Sequence, residues 1–372
     1  MMSRRCRSSA LSCAALAVAV MLVAAACGCS SSSSPGGALS SSSQAQGRAW
    51  AVGNLGTILA TTDGGTHWTT QTPETRGHLL GVSFADSTHG WTVGGAAVEA
   101  TDMVYGAAFI RATTDGGTHW VSQKAPAVGF LRSVACVDAT HVWAAGADKT
   151  AAIVASSDGG QTWVTEYADS KVAPIADIAF ADDSHGTAVS LSGDVLRTTD
   201  GGAHWSVQTE LQGSDFDWRI AFGDPSHGWI VGTDLRQPDS QAPGRVWATG
   251  DGGATWEPAP APQRYVAGLD AVTATDASHV WIASYAGGIF RSTNGGLDWI
   301  ASTKSLASAT AVTFGDSTHG WAIMCEESTS IVATTDGGVS WHAQTRPGQF
   351  MTSPPAGTIG NPEQLMDIAC PQ

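Results

Sequence analysis

Short runs of alternating apolar and polar residues, separated by turns rich in Gly and Asp, follow one another along most of the chain. Between residues 79 and 124 they predict four strands: Leu79–Phe84, His89–Gly94, Ala107–Thr113 and His119–Lys124. Alternation with a period of two is typical of half-buried strands, and short turns favour antiparallel pairing of consecutive strands. The pattern therefore predicts a four-stranded antiparallel sheet for this segment.

One eight-residue phrase, Ser/Thr-x-Asp-Gly-Gly-x-x-Trp, occurs seven times, with Asn in place of Asp in the sixth copy. Its central residues are separated by 52, 43, 42, 51, 43 and 42 positions; they are Asp63, Asp115, Asp158, Asp200, Asp251, Asn294 and Asp336. A period in the forties corresponds to about four short strands per repeat. The chain is therefore predicted to be all-β, a seven-bladed β-propeller of four-stranded antiparallel blades.

Each phrase, an Asp-box, is predicted to form the hairpin between the third and fourth strands of a blade. The Asp can accept hydrogen bonds from N–H groups of its own turn, the glycines take positive φ without steric cost, and the Trp packs between sheets. A catalytic site needs different residues in different places, whereas these recur in every blade. We therefore interpret the seven Asp-boxes as structural.

A second phrase, Asp-x-x-His, alternates with the Asp-box and occurs six times; its histidines are His89, His141, His185, His227, His279 and His319. We expect each imidazole to bond the backbone or the Asp of the same turn. The seventh copy is split between Leu365–Cys370 and Arg48–Gly53. This predicts that strands from both termini share one blade and remove the exposed edges of an open ring. The other histidines before a box Trp, His67, His119 and His204, are predicted to be half-exposed strand residues.

The N-terminal segment has the pattern of a targeting signal. Arg4, Arg5 and Arg7 precede an apolar stretch that ends in small residues before Cys27. We expect residues 1–26 to be a lipoprotein signal peptide, Cys27 to carry lipid, residues 27–46 to form a Ser- and Gly-rich tether, and residues 47–372 to be the propeller. The chain would then be extracytoplasmic and anchored to the cell membrane by lipid. An uncleaved anchor helix or an ordinary secretory signal remain the alternatives.

The charge balance narrows the choice of partners. The chain has 18 basic and 33 acidic residues, a formal net charge of −15. Such a surface repels phosphate backbones and excludes nucleic acid as a partner. After the tether the sequence has no His-x-x-x-His or Cys-x-x-Cys spacing and no phosphate-binding glycine loop, so we expect no metal and no cofactor. We expect a monomer.

The cysteines near the ends of inner strands fill an apolar position. Cys136 and Cys370 stand where other blades have Phe, and both are predicted to be buried. Cys325 lies at the far end of a second strand, so a disulfide with Cys370 would need irregular geometry. The sequence leaves that bond open.

Function is expected where the repeat is irregular. Three or four residues before the Phe position, the inner strands carry polar or aromatic residues that are predicted to lie near the mouth of the central channel: Arg132, Asp177, Trp218, Arg219, Asp270 and Asp367. Asp177 and Arg219 lie in neighbouring blades and could pair structurally. The alternative is a pocket for a polar ligand or peptide.

Two long insertions lie on the same face of the predicted ring as the channel mouth. Gly95–Gly106 contains Glu99, Asp102 and Tyr105, and Thr233–Gly244 contains Asp234 and Arg236. Irregular loops on a rigid scaffold are the usual place of recognition. We expect these residues to contact a partner.

The phrases Asp-Ser-Thr-His-Gly-Trp-Thr-Val-Gly-Gly and Ile-Leu-Ala-Thr-Thr-Asp-Gly-Gly-Thr-His-Trp resemble those of Asp-box (BNR) propellers of the photosystem II stability and assembly factor type. The resemblance covers Arg48 to about Thr345 and the closing strand. It implies a noncatalytic, membrane-associated scaffold that holds a partner protein.

Asp-boxes also occur in sialidases and xyloglucan-cleaving enzymes, so the rival function is a glycoside hydrolase. Such an enzyme needs two carboxylates across a cleft, or an arginine cluster with a Tyr/Glu pair in a sialidase-like site. The best carboxylate candidates are Asp177, Asp270 and Asp367.

Overall fold

Seven separate four-stranded antiparallel sheets make up the computed structural model of this chain, which confirms the seven-bladed β-propeller. The structure describes residues 47–71, 77–98, 104–147, 150–211, 216–234, 244–262, 268–302, 308–325, 329–344 and 365–371. In the described part of the chain, no helix is both long and apolar enough to cross a bilayer.

The strands follow the chain from the inner to the outer edge of each blade. Blades 1 to 4 contain, in order, β1 (Ala49–Gly53), β2 (Ile58–Thr61) and β3 (Thr69–Gln71); β4 (His78–Phe84), β5 (Gly90–Val98), β6 (Val104–Thr113) and β7 (Val121–Gln123); β8 (Leu131–Cys136), β9 (Val142–Gly146), β10 (Ala151–Ser156) and β11 (Val164–Asp169); and β12 (Ile175–Phe180), β13 (Gly186–Ser190), β14 (Asp194–Thr198) and β15 (Ser206–Glu210).

The remaining blades repeat this order. Blades 5 to 7 contain β16 (Phe216–Phe222), β17 (Gly228–Asp234), β18 (Gly244–Thr249) and β19 (Glu257–Ala259); β20 (Leu269–Ala274), β21 (Val280–Ser284), β22 (Gly288–Ser292) and β23 (Ile300–Ala301); and β24 (Ala309–Phe314), β25 (Gly320–Cys325), β26 (Thr329–Thr334) and β27 (His342–Ala343). The last strand, β28 (Leu365–Ala369), returns to blade 1.

The two ends of the described chain share blade 1, as predicted. β28 is the innermost strand of that blade and pairs antiparallel with β1, with Trp50 opposite Ala369 and Val52 opposite Asp367. Ile368 is completely buried between blades 1 and 7. Hydrogen bonds and packing therefore close the ring without a covalent bond.

The Asp-box has the predicted geometry and position. In the first box, the hydroxyl of Thr61 and the backbone N–H of His67 donate to Asp63 Oδ1 at 3.0 and 2.9 Å. Gly64 and Gly65 have φ of 75° and 95°, a region that favours glycine. In the sixth box, Asn294 Oδ1 accepts the corresponding bonds, which explains why an amide is tolerated there.

We expect Asp336→Ala to destabilise the protein by about 1–2 kcal/mol, because the hydroxyl of Thr334 and the N–H of Ser340 lose their acceptor. Asp336→Asn should cost less than half as much, since Oδ1 is retained, as at Asn294. Urea unfolding followed by tryptophan fluorescence measures both variants. Equal stability of the alanine variant and the wild type would contradict a structural role.

The histidines of the Asp-x-x-His turns bond the Asp of the same turn, as predicted. In the first copy, His89 Nδ1 lies 2.8 Å from Asp86 Oδ2, and the other five copies repeat the pair. The prediction for His67, His119 and His204 was wrong. They are 77–89% exposed and lie in the Asp-box turn, where each ring contacts its box Asp, because the fourth strand begins only after the box Trp.

The cysteines of the described chain, Cys136, Cys325 and Cys370, form no disulfide. Cys136 and Cys370 are buried at the Phe position, as predicted. Burial raises the pKa of Cys370 to about 12, which keeps its thiol protonated at neutral pH.

Candidate functional site

Two of the candidate residues of the inner strands, Arg132 and Asp270, lie at β-bulges. In β8 the register shifts between Leu131 and Ser133, which leaves Arg132 as the extra residue, and Asp270 is the extra residue of β20. A bulge re-aims the side chain that it inserts. Bulges therefore place Arg132 and Asp270, whereas β16, which carries Trp218 and Arg219, pairs without a shift.

Arg219 forms an ion pair with Asp217, two residues earlier on β16. Its guanidinium donates to both Asp217 carboxylate oxygens, with Nη2 3.1 Å from Oδ2, and both side chains are buried. Asp217 is the hydrogen-bonded partner of Arg219, while Asp177, the predicted partner, interacts with it by charge attraction. Sequence reasoning missed Asp217, although residues two apart on a strand share a face and could have revealed it.

Asp177 joins three blades. Its Oδ1 accepts from the Ser133 hydroxyl of blade 3 and from the N–H of Ile178, and its Oδ2 accepts from the N–H of Ile220 in blade 5, each at 2.7 Å. The side chain is completely buried, and burial raises its pKa to about 7, although Arg219 and the hydrogen bonds favour the ionised form.

Asp367 performs the corresponding role at the closing strand. Its Oδ2 accepts from the N–H of Val82 in blade 2 at 2.9 Å, and its Oδ1 accepts from the N–H of Ile368. Burial raises the pKa of this carboxyl well above its usual value, and the negative charge of Asp177 raises it further. The carboxyl thus links the last strand to the blade after it.

The structure brings Asp177, Arg219, Asp270 and Asp367 into one buried electrostatic group, which we name the axial group. Arg132 is 7% exposed and its guanidinium lies 4.9 Å from the centre of the Phe130 ring.

Trp218 lies apart from that group. It packs in the core between blades 4 and 5, 5.3 Å from Trp247.

The axial group ties inner strands of several blades to one another. Hydrolysis requires carboxylates that touch the substrate, and Asp177, Asp270 and Asp367 are at most 3% exposed. Within the described residues, no cluster of three or more His, Cys, Asp or Glu side chains is arranged to hold a metal ion. The geometry of these carboxylates therefore suits a structural role better than hydrolysis.

We expect the stability advantage of wild type over Asp177→Asn to fall as pH rises from 4 to 8. The folded pKa of Asp177 is about 7 against a model-compound value of 3.8, so the folded state binds this proton more tightly than the unfolded chain. Its contribution is complete below pH 4 and is lost as pH rises through 7, whereas the amide does not titrate. Urea unfolding at unit pH steps measures the difference.

The control for that experiment is Asp183→Asn, which removes an exposed carboxylate from a turn of the same blade. A difference between wild type and Asp177→Asn that is constant with pH, or that grows as pH rises, would refute the assignment.

The predicted contact residues of the two insertions are only partly visible. Glu99, Asp102 and Arg236 lie outside the described residues. The backbone of Tyr105 is part of β6 and that of Asp234 is part of β17, at strand ends on the face that carries the insertions. The structure does not describe their side chains. Their role as partner contacts stays a prediction.

A cavity that sequence reasoning missed lies between blades 4 and 5. It has a volume of about 460 Å³ and is lined on one side by the end of β15 and on the other by β18 and β19. The sequence marks this junction as irregular, because Thr187 of blade 4 stands where the other six blades have Trp, but Thr187 itself does not line the cavity.

Part of the chain matches a known protein family. Residues 169–310 match the family described as photosynthesis system II assembly factor YCF48. The chain is 30% identical over 191 residues to the photosystem II assembly lipoprotein Ycf48 of Synechococcus sp. (strain CC9902), a match that covers 50% of this chain and 48% of that protein. The chain thus spans about half the length of this curated relative.

Solved structures share the architecture at lower identity. YCF48 bound to D1 peptide has a TM-score of 0.54 and 20% identity, with 73% of this chain and 83% of that chain covered. The GH74 xyloglucanase from Xanthomonas campestris has a TM-score of 0.58 and 15% identity, with 87% and 52% covered. At these identities the likeness concerns the fold alone. Together with the family match, the seven Asp-boxes and the shared closing blade identify this chain as an Asp-box propeller that resembles the photosystem II stability and assembly factor family.

Proposed function

We propose that this chain is a noncatalytic, extracytoplasmic scaffold that binds a protein partner. The observation that carries the proposal is the 30% identity over 191 residues to an assembly lipoprotein. A protein of the same fold has been solved bound to a D1 peptide, which supports a propeller surface that holds a polypeptide. The acidic surface favours a partner with basic segments.

The glycoside hydrolase alternative draws only on the shared fold of GH74 enzymes. Burial of Asp177, Asp270 and Asp367 counts against it, because a substrate cannot reach these carboxylates in this conformation. Incubation with xyloglucan and with a panel of fluorogenic glycosides tests it directly. Turnover that is lost in Asp270→Asn would replace the scaffold proposal by an enzyme.

The anchoring proposal concerns residues 1–46, which lie outside the described residues. We propose that residues 1–26 are removed and that Cys27 carries lipid, so that residues 27–46 tether the propeller to the membrane. The relative named a lipoprotein supports this. Metabolic labelling with an alkyne fatty acid should mark the wild type and not Cys27→Ala, and Cys29→Ala serves as the matched control.

Capture of the full-length protein from cross-linked cell envelope tests the scaffold proposal. We expect one protein to be enriched with the wild type and to be reduced in Glu99→Lys/Asp102→Lys, variants of the insertion between β5 and β6. Asp183→Lys, on the opposite, turn-bearing face, is the control for a change of charge. If no protein is enriched, the result counts against the scaffold. If a protein is enriched and none of these variants alters its enrichment, the result counts against the proposed contact loops.

A further inference from the structure

Neighbouring blades are joined by two recurring hydrogen bonds. The second-strand Trp donates its indole N–H to the first box-Gly carbonyl of the next blade at five junctions, such as Trp50 to Gly116 at 3.0 Å and Trp143 to Gly201 at 3.1 Å. In the second bond, the box Trp of the next blade donates its indole N–H to a residue of the outer strand, as when Trp120 donates to Gln71 Oε1 at 3.0 Å. Trp163 and Gln123 repeat this bond between blades 2 and 3.

The junction between blades 4 and 5 lacks both bonds. Thr187 replaces the second-strand Trp; it is 1% exposed, and its hydroxyl has no hydrogen-bond partner among the described residues. Arg197 Nε donates to the Gly252 carbonyl instead, at 3.1 Å. Trp256, the box Trp of blade 5, is 9% exposed, and within the described chain its N–H is likewise without a partner. The N–H groups of Trp68, Trp91 and Trp205 also lack a partner there, so three other junctions lack one of the two bonds, and what distinguishes this junction is the loss of both.

Gln208 of β15 does not take the acceptor position that Gln71 and Gln123 occupy at their junctions. Gln208 has the same offset from its box Trp as Gln71 and Gln123 have from theirs. The register of β15 against β14 shifts around it, since Val195 pairs with Thr209 and Leu196 with Val207. Gln208 is exposed, and its amide donates to the hydroxyl of Ser206 at 2.7 Å.

The cavity of about 460 Å³ lies at this junction. Its apolar lining includes Leu211, Trp247 and Ala259, and Trp256 lines it as well. Arg245 and the exposed Glu210 supply the polar part of the wall. A volume in this range accommodates a ligand of several heavy atoms, or one or two side chains of a partner.

The open edge beside the cavity favours a peptide as the occupant. β15 is the outermost strand of blade 4, and all five of its residues are exposed. An unpaired sheet edge is a template for an added strand. The exposed carboxylates Glu210 and Glu257 flank the cavity, and the chain has 33 acidic against 18 basic residues, so the complementary segment is basic.

We infer that the junction of blades 4 and 5 is a docking site for an extended, basic segment of a partner protein, which places one apolar side chain in the cavity. The inference deepens the proposed function and rests on it. A sugar fits less well, because stacking requires an exposed aromatic face and Trp247 and Trp256 are only 8% and 9% exposed.

A phage-displayed library of random 12-residue peptides, panned against the full-length protein, tests the inference. We expect enrichment of peptides with an apolar residue between Lys or Arg residues. Ala259→Trp, which fills the cavity, should weaken the binding of selected peptides about tenfold or more, and Glu210→Lys about fivefold. Ala343→Trp, on the exposed outer strand of blade 7, should leave binding unchanged.

Several results would overturn the inference: no enriched peptides, enriched peptides that bind both variants as they bind wild type, or xyloglucan oligosaccharides that bind at the junction while peptides do not. Glu210→Lys lies on the surface and keeps the test valid if Ala259→Trp does not fold. Envelope capture separates the two claims. A captured partner that ignores both variants refutes the docking site alone, whereas peptide binding at the junction without any envelope partner refutes the scaffold function.

Discussion

A chain that ends at residue 364 is expected to lose its native monomer. β28 is the innermost strand of blade 1, and Leu365, Met366 and Ile368 are each at most 5% exposed. Burying such side chains contributes about 1.5–3 kcal/mol apiece, and Asp367 also links the strand to Val82 of blade 2. The combined loss approaches the total stability of a typical domain, about 5–15 kcal/mol. Size-exclusion chromatography and urea unfolding measure the effect.

The matched control is a chain that ends at Cys370, which keeps β28 and should behave as wild type. Because no covalent bond closes the ring, a synthetic peptide of residues 363–372 added to the shortened chain should restore the monomer and its cooperative unfolding. A shortened chain that stays monomeric with wild-type stability would show that blade 1 does not need its inner strand.

Trp143→Thr is expected to destabilise the protein by about 3–5 kcal/mol, the usual loss for removing a large buried aromatic side chain. Trp143 is 2% exposed, stacks on Phe180 with ring centroids 3.7 Å apart, and donates its N–H to the Gly201 carbonyl. The variant reproduces between blades 3 and 4 the residue that blade 4 has naturally at Thr187. Urea unfolding measures the change in the free energy of unfolding.

The control for Trp143→Thr is Val164→Thr on the outer strand β11, where Val164 is 58% exposed and the change should stay within about 0.5 kcal/mol. A loss below 1 kcal/mol for Trp143→Thr would mean that the second-strand Trp does not hold the blades together.

The regular parts of the propeller were predictable because they are local. An Asp-box contains its own acceptor, its own donors and the glycines that its turn needs, so the bonds of Asp63 follow from residues within four positions of it. The same holds for the Asp-x-x-His turns. The closing blade was predictable for a different reason. The N-terminal end of the chain carries one half of a repeat and the C-terminal end carries the other half, so the two halves must combine in one blade.

The details of the axial group and of the junction between blades 4 and 5 depended on the tertiary structure. Alignment of the repeats brought Asp177 and Arg219 into neighbouring blades. Only the folded chain shows that Asp217 is the hydrogen-bonded partner of Arg219 and that Asp177 bonds backbone and hydroxyl groups of three blades. Gln208 has the spacing of a junction residue, yet in the folded chain it is exposed and its amide bonds Ser206 instead.

The amino-acid sequence by itself determined the number of blades, the turn chemistry and the shared closing blade, because each depends on a periodic pattern or on contacts within a few residues. The tertiary structure decided which polar groups pair near the axis and where the ring is left incompletely packed. Those outcomes depend on strand register and on groups more than 40 residues apart, such as the carboxylate of Asp177 and the backbone N–H of Ile220, which no local pattern specifies.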